Sequence, residues 1–196
     1  MPRRMNLKKR FPMIYVFLAT GFEDIEALAP VDILRRAGLP VETVSITGED
    51  IVESAHGVGF VADRQLRDAD IDHAQMLVLP GGLPGATNLD ACEPLRRAIV
   101  AHFEAGKPLA AICAAPLVYG HLGLLKGVRA TCYPGFESHL EGATYTAAIV
   151  EQDGQFITGK GPAAAFEFGY TIAEYFLGKD AVQPLRQGMI YSELIG

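Results

Sequence analysis

Short apolar runs alternate along this chain with segments of helical periodicity, and that alternation constrains the fold more than any other feature. Continuous apolar runs are typical of strands buried on both faces. They predict strands at residues 13–19, 41–46, 76–79 and 109–112. Helical spacing that ends at or near a glycine predicts helices at residues 25–37, 94–104 and 163–177. This order favours an α/β fold with a doubly wound, mostly parallel sheet and helices on both faces.

Two glycine breaks predict hairpins beside the main alternation. Residues 58–61 follow Gly57 and predict a short hairpin strand. Farther along, Asp153-Gly154 separates residues 145–150 from residues 155–158, and glycine accepts the positive φ of a tight turn. A proline, Pro30, interrupts the first predicted helix. Because proline donates no backbone hydrogen bond, we expect a distorted first turn there, carrying Glu26.

The N-terminal residues are basic and precede an apolar run, as in a secretory signal. That run is short, however, and Gly21, Glu23 and Asp24 follow it at once, without a small-residue cleavage pattern. We therefore expect a disordered basic tail at residues 1–11 and one domain at residues 12–196. No segment approaches the ~20 apolar residues of a membrane-spanning helix, so we expect no membrane partner.

Charge and cysteine usage exclude several kinds of partner. The formal net charge of -6 repels phosphate backbones, so we expect no general nucleic-acid ligand. Cys92, Cys113 and Cys132 are odd in number and widely spaced, which is a poor disulfide framework and favours a reducing, cytoplasmic location. Because zinc-ligand spacing, a Walker motif and a dinucleotide fingerprint are all missing, we expect neither a metal nor an organic cofactor.

The segment around Cys113 is the strongest chemical signal. The predicted strand at 109–112 runs straight into Cys113, and Ala114-Ala115-Pro116 then opens a helix, with proline in its first turn. Such a strand-to-helix elbow exposes a nucleophile above the sheet. Since a helix N-terminus supplies partial positive charge, we expect it to favour the thiolate. The alternative is that Cys113 is a small buried core residue.

Two other loops end at the same edge of the predicted sheet, where ligands of such folds collect. Gly81-Gly82 follows the strand at 76–79 and permits backbone amides to point at a developing oxyanion; alone, it is also compatible with a plain turn. Glu23, Asp24 and Glu26 follow the first strand, and acidic residues also stabilise helix N-termini. A carboxyl wedged against a thiolate becomes easier to protonate and is able to shuttle a proton. Among the five histidines, only His139 lies in a loop that could return to this edge.

Five motifs stand in order along the chain: GFEDIEA at 21–27, PVDILRRAG at 30–38, LPGG at 79–82, AAICAAP at 110–116 and GPAAAFEF at 161–168. Together they resemble the DJ-1/ThiJ/PfpI superfamily, in its DJ-1/ThiJ (YajL-like) branch. The resemblance implies a flavodoxin-like fold of the class I glutamine amidotransferase type and a homodimer. It further implies that Cys113 is the nucleophile and Glu26 the carboxyl beside it. The backbone donors it implies around the sulfur are Gly81, Gly82 and Ala114.

Members of this family are described as glutathione-independent glyoxalases or deglycases that act on methylglyoxal, glyoxal or their adducts. They are also described as oxidative-stress sensors or chaperone-like proteins whose cysteine becomes a sulfinic acid. Both functions remain open at this point, and neither requires a cofactor. An older association with thiamine metabolism, from which ThiJ takes its name, finds no phosphate-binding loop in this chain.

Two departures from the family pattern bear on mechanism. Tyr133 stands where many members have a histidine, so Tyr133, Glu23 and His139 are the auxiliary candidates. In the protease-like branch a histidine directly follows the cysteine, whereas Ala114 follows it here. The resemblance therefore disfavours peptidase and amidotransferase activity.

Overall fold

The computed structural model describes residues 12–194, and the tail predicted at residues 1–11 lies outside this part of the chain. The strands β1 to β11 are, in order, Ile14–Leu18, Val41–Ser45, Ile51–Glu53, Gly59–Val61, Arg64–Gln65, Met76–Leu79, Leu109–Ile112, Arg129–Ala130, Thr144–Tyr145, Val150–Asp153 and Phe156–Gly159. The helices α1 to α7 are Asp24–Arg36, Gly85–Ala91, Glu93–Glu104, Pro116–His121, Ala165–Leu177, Lys179–Gly188 and Tyr191–Leu194. Short 3-10 turns connect several of these elements, among them Glu137–His139 and Pro162–Ala164.

A seven-stranded sheet in the order β10-β11-β7-β6-β1-β2-β5 forms the centre of the fold. Its strands pair in parallel except β10, which pairs antiparallel with β11 at one edge. Every residue of β1, β6, β7 and β11 is buried, and because neighbouring side chains of a strand point to opposite faces, both faces are covered. The fold is flavodoxin-like α/β, as predicted. Between residues 12 and 194, no helix has the length and apolar character needed to cross a bilayer.

The predicted strands of the sheet match the observed ones to within about one residue, since long apolar runs carry a strong signal. One assignment was wrong: residues 145–150 do not form one hairpin strand. Instead β9 pairs with β8, and the hairpin around Asp153-Gly154 is built by β10 and β11. The short helices α2, α6 and α7 went unpredicted.

The first turn of α1 is a capped helical turn, so the expected distortion there was wrong. The Glu23 side chain accepts a hydrogen bond from the Glu26 amide at 2.8 Å and thereby satisfies one free donor of the helix end. Pro30 lies inside α1 where this helix packs against α5. A Cβ on Gly169 would lie 3.0 Å from the Pro30 Cα, so the two helix backbones approach closely at this point.

We predict that Gly120→Ala strongly destabilises the fold. A Cβ at Gly120 in α4 would overlap the backbone carbonyl oxygen of His139, and a backbone atom cannot rotate away. Overpacking of this kind costs ~1–3 kcal/mol or more, and at about 2–4 °C per kcal/mol for a chain of this size it lowers the thermal midpoint by roughly 2–12 °C. Gly188→Ala in α6 is the matched control, because its new Cβ meets nothing within 4 Å. Equal midpoints for the two variants in thermal denaturation would contradict the close contact.

Candidate active site

The elbow predicted at Cys113 is present at the carboxyl end of β7. Cys113 has φ of 64°, a left-handed conformation that costs roughly 1–3 kcal/mol for a residue with a side chain. Two backbone hydrogen bonds hold it: the Cys113 amide donates to the Gly159 carbonyl, and its carbonyl accepts from the Tyr133 amide, both at 2.9 Å. The residue is 8 % exposed. The strained turn therefore places a slightly accessible sulfur where β7 gives way to α4.

Glu26 approaches the same point from α1 and is fully buried. Its Oε2 accepts a hydrogen bond from the Gly81 amide at 2.9 Å. The second oxygen, Oε1, is buried without a conventional hydrogen-bond partner among the described residues, and the Cys113 thiol interacts with this carboxyl. A buried carboxyl held by one amide and one thiol is well placed to exchange a proton with sulfur.

Gly81, the first glycine of the pair after β6, lies against both the Glu26 carboxyl and Cys113. A Cβ on Gly81 would lie 2.6 Å from Glu26 Oε2 and 2.7 Å from Cys113 Cβ, so only glycine leaves the two groups in place. The backbone amides of Gly82 and Ala114 interact with the Cys113 sulfur and favour its charged form. Of the three backbone donors expected from the sequence, Gly82 and Ala114 interact with the sulfur from two different loops, whereas the Gly81 amide donates to Glu26 Oε2 instead.

Burial raises the pKa of Glu26 to about 7, and the charge of Glu23 adds to this rise. Burial also raises the pKa of Cys113, as does the negative charge of Glu26, and these effects exceed the opposing effect of the Gly82 and Ala114 amides. The Ala114 amide at the helix N-terminus does favour the thiolate, as expected, but burial and the charge of Glu26 outweigh it and the pKa of Cys113 is raised. Because the two groups interact, their protons come off in steps that belong to the pair and not to either residue alone.

The three auxiliary candidates, Glu23, Tyr133 and His139, lie in different parts of the structure. Glu23 is buried at the N-terminus of α1 and caps Glu26. Tyr133 is 46 % exposed, and its ring lies beside Gly161, where a Cβ would be 3.1 Å from Tyr133 Cδ2. His139 instead contacts His121 at the far end of α4, and no described contact joins it to Cys113.

Sequence reasoning missed the carbonyl of Gly159 and the amide of Tyr133, which hold the elbow. Backbone groups leave no signal in residue types, and both come from segments far along the chain. The other cysteines lack this setting. Cys132 is buried, and burial raises its pKa to about 12, while Cys92 is half-buried between α2 and α3.

A group beside the site also contains possible metal ligands. Ligand atoms of Glu23, Asp24 and His56 lie within 4.8 Å of one another. Asp24 already accepts from Ser54 Oγ and forms a 2.6 Å ion pair with His56 Nδ1, which lowers the pKa of Asp24 and raises that of His56. The ion pair accounts for these contacts without a metal.

Comparison with known proteins places this geometry in a family. The model of the DJ-1/PfpI family matches residues 12–175. Protein DJ-1 homolog B of Arabidopsis thaliana is 40 % identical over 169 residues, which cover 85 % of this chain and 39 % of that protein. The chain likewise spans 43 % of DJ-1 homolog A of the same plant, so it covers about two fifths of these two relatives.

Solved structures share the fold over nearly their whole length. A mutant DJ-1 superfamily protein from Salmonella typhimurium has a TM-score of 0.87 and 35 % identity, covering 92 % of this chain and 98 % of that one. Oxidized DJ-1 of Toxoplasma gondii also has a TM-score of 0.87, with 30 % identity and coverage of 91 % and 98 %. The similarity therefore extends through every element that builds the Cys113 site.

Proposed function

The chain belongs to the DJ-1/PfpI family, and on that premise we propose that it is a cysteine-dependent, glutathione-independent glyoxalase or deglycase. Its substrates would be methylglyoxal, glyoxal or their adducts. The observation that carries the proposal is the buried Glu26 carboxyl, which interacts with the Cys113 thiol at a strained elbow and whose pKa burial raises to about 7. A nucleophile, a proton carrier and backbone oxyanion donors at one point are what this reaction requires.

The proposed reaction begins when Glu26 takes the thiol proton and the sulfur of Cys113 bonds to the aldehyde carbon of methylglyoxal. The resulting oxyanion receives hydrogen bonds from the amides of Gly82 and Ala114 and takes the proton back. Glu26 then removes the hydrogen from that carbon as a proton, which gives an enediolate, and returns it to the neighbouring carbon, while the hydroxyl proton of the first carbon passes to the oxygen of the second. The product is a lactoyl thioester on Cys113. Water cleaves it to lactate and restores the thiol, so methylglyoxal and water give lactic acid without any redox partner.

We predict an acid limb in the rate that depends on Glu26. Because the pKa of Glu26 lies at about 7, below this pH both groups carry a proton and neither attack nor proton removal begins. The kcat/KM for methylglyoxal should therefore fall about tenfold per pH unit below about 7. In Glu26→Gln it should be roughly 10²–10⁴-fold lower and lack this inflection, as measured by lactate formation between pH 5 and 9.

The matched control is Glu141→Gln, which removes an exposed carboxyl from the surface. It should keep both the rate and the acid limb of the unaltered protein. If the inflection near pH 7 persisted unchanged in Glu26→Gln, Glu26 would not be the proton carrier.

The second candidate function is an oxidative-stress sensor in which Cys113 becomes a sulfinic acid. It is favoured by the buried Oε1 of Glu26, which lies beside the sulfur and has no conventional hydrogen-bond partner among residues 12–194. The conversion of thiol to sulfinic acid consumes two molecules of peroxide and releases two of water. We expect mild peroxide to add two oxygen atoms to Cys113 first, leaving Cys92 and Cys132 intact in peptide mass spectra. Equal oxidation of all three would count against a sensor.

We also propose a homodimer in the cytoplasm, without membrane or nucleic-acid partners. The hairpin β3–β4 supports a protein contact because Ile51 and Val61 face each other across it and are 61 % and 65 % exposed. A cross-strand pair of exposed apolar side chains is better covered by a second copy than by water. Sedimentation of the full chain would reveal a monomer if this proposal is wrong.

A further inference from the structure

Three elements meet at the C-terminal end of α4, away from Cys113, and bring two imidazoles and a carboxylate together. His121 ends α4, His139 ends the 3-10 turn Glu137–His139, and Asp90 belongs to α2. Nδ1 of His121 lies 2.7 Å from Asp90 Oδ2, and its Nε2 lies 2.9 Å from Nδ1 of His139. The two rings meet edge to face with centroids 5.0 Å apart. The function proposed for Cys113 uses none of these groups.

The carboxylate determines where the His121 lone pair points. An ionised carboxylate only accepts hydrogen bonds, so the Nδ1 that faces Asp90 carries the hydrogen. In the neutral ring of His121, Nε2 then has a free lone pair directed at His139 Nδ1. His139 Nδ1 therefore carries the hydrogen between the rings, and two nitrogens from different elements of the fold face each other across it.

Asp90 itself is held in place. Its carboxylate forms an ion pair with Arg96 of α3, and its backbone carbonyl accepts from the same guanidinium at 3.3 Å. Metal-binding histidines characteristically donate their second ring N–H to such an anchored carboxylate, which fixes the ring and makes the free nitrogen a better ligand. His121 has this arrangement before any metal is considered.

The spacing of the two imidazoles is set by backbone packing rather than by flexible side chains alone. Gly120 lies so close to the His139 carbonyl that any side chain would overlap it, which registers α4 against the 3-10 turn. Two Zn–N bonds of ~2.0–2.1 Å at a tetrahedral angle separate the nitrogens by roughly 3.3 Å. The two nitrogens are 2.9 Å apart, so they must separate by about 0.4 Å to reach this value. The His121 side chain is 31 % exposed, so water has access to complete a coordination shell.

We propose that His121 Nε2 and His139 Nδ1 bind a divalent cation of the zinc class, with Asp90 as the carboxylate that orients His121. Imidazole nitrogen suits Zn²⁺, Ni²⁺ and Cu²⁺ and not Mg²⁺ or Ca²⁺. On binding, the metal takes the place of the hydrogen between the two rings, and that hydrogen moves from His139 Nδ1 to His139 Nε2. The group formed by Glu23, Asp24 and His56 is a weaker candidate, because it has a single imidazole ring and the Nδ1 of that ring already forms an ion pair with Asp24.

The test is a Zn²⁺ titration of the full chain against a chromophoric zinc indicator, in a Cys92→Ser, Cys113→Ser background that removes the more accessible thiols. We expect one Zn²⁺ per chain. His121→Gln and His139→Gln should each weaken binding at least about tenfold, and Asp90→Asn by roughly 10–100-fold. His73→Gln is the matched control, because His73 Nδ1 pairs with Asp70 at 2.8 Å in the same way but has no imidazole partner in the structure.

Two further measurements distinguish metal binding by these histidines from a change in folding and from metal binding by cysteine. Zn²⁺ should raise the thermal midpoint of the background protein and of His73→Gln but not of His139→Gln, which leaves the Asp90–His121 contact intact. Co²⁺ in place of Zn²⁺ should give visible bands without thiolate charge transfer. Unchanged zinc affinity in His121→Gln and His139→Gln, or loss of binding in His56→Gln alone, would overturn the proposal.

Discussion

Replacing Cys113 by serine is expected to abolish the formation of lactate from methylglyoxal, with a loss on the order of 10⁴-fold or more in kcat/KM. A serine hydroxyl is far harder to ionise than a thiol, and the Glu26 carboxyl, with a pKa of about 7, is too weak a base to activate it. Serine is nearly the same size, so the elbow and its two backbone hydrogen bonds should remain. The measurement is enzymatic detection of lactate.

Cys92→Ser is the control for this experiment, because Cys92 is half-buried between two helices and does not belong to the elbow at Cys113. It should retain full activity. Thermal midpoints of both variants should match that of the unaltered chain, which separates a chemical loss from a folding loss. If Cys113→Ser still formed lactate at the original rate, the proposed mechanism would be wrong.

The second large effect is expected at Gly81→Ala. The new methyl group would lie 2.6 Å from Glu26 Oε2, 2.7 Å from Cys113 Cβ and 2.9 Å from the Ile112 carbonyl. Gly81 does not have a positive φ, so alanine fits its backbone and the effect is steric alone. The carboxyl and the thiol must then move apart, and a displacement of ~1 Å in a catalytic group costs about 10²-fold in rate.

We therefore expect kcat/KM for methylglyoxal to fall by about 10²-fold or more in Gly81→Ala, with a loss of ~1–3 kcal/mol in the free energy of unfolding. The pH profile adds a specific readout: separating the pair lessens its coupling, so the inflection near pH 7 should shift. Gly188→Ala should change neither the kcat/KM nor the pH inflection appreciably. An active Gly81→Ala protein with an unmoved inflection would show that the distance between Glu26 and Cys113 does not matter for the rate.

The local sequence was sufficient for the elements that carry the site. The apolar runs at 76–79 and 109–112 are strands because only burial on both faces suits them, and their ends placed Gly81 and Cys113 at one edge of the sheet. Glu26 follows the first strand for the same reason. The parallel arrangement of the strands and the positions where they end thus follow from the sequence pattern of each segment.

Only the tertiary structure decided the electrostatics of the site and the partners of its side chains. Helix position alone predicted a lowered pKa for Cys113, whereas burial and the Glu26 charge raise it, and both depend on residues 87 positions apart being packed together. His139 likewise pairs with His121 because Gly120 admits its carbonyl. Desolvation and packing depend on neighbours that are distant in the chain. Residue types along one segment therefore determine where a strand runs and ends, whereas contacts made in the folded protein determine the pKa values of the site.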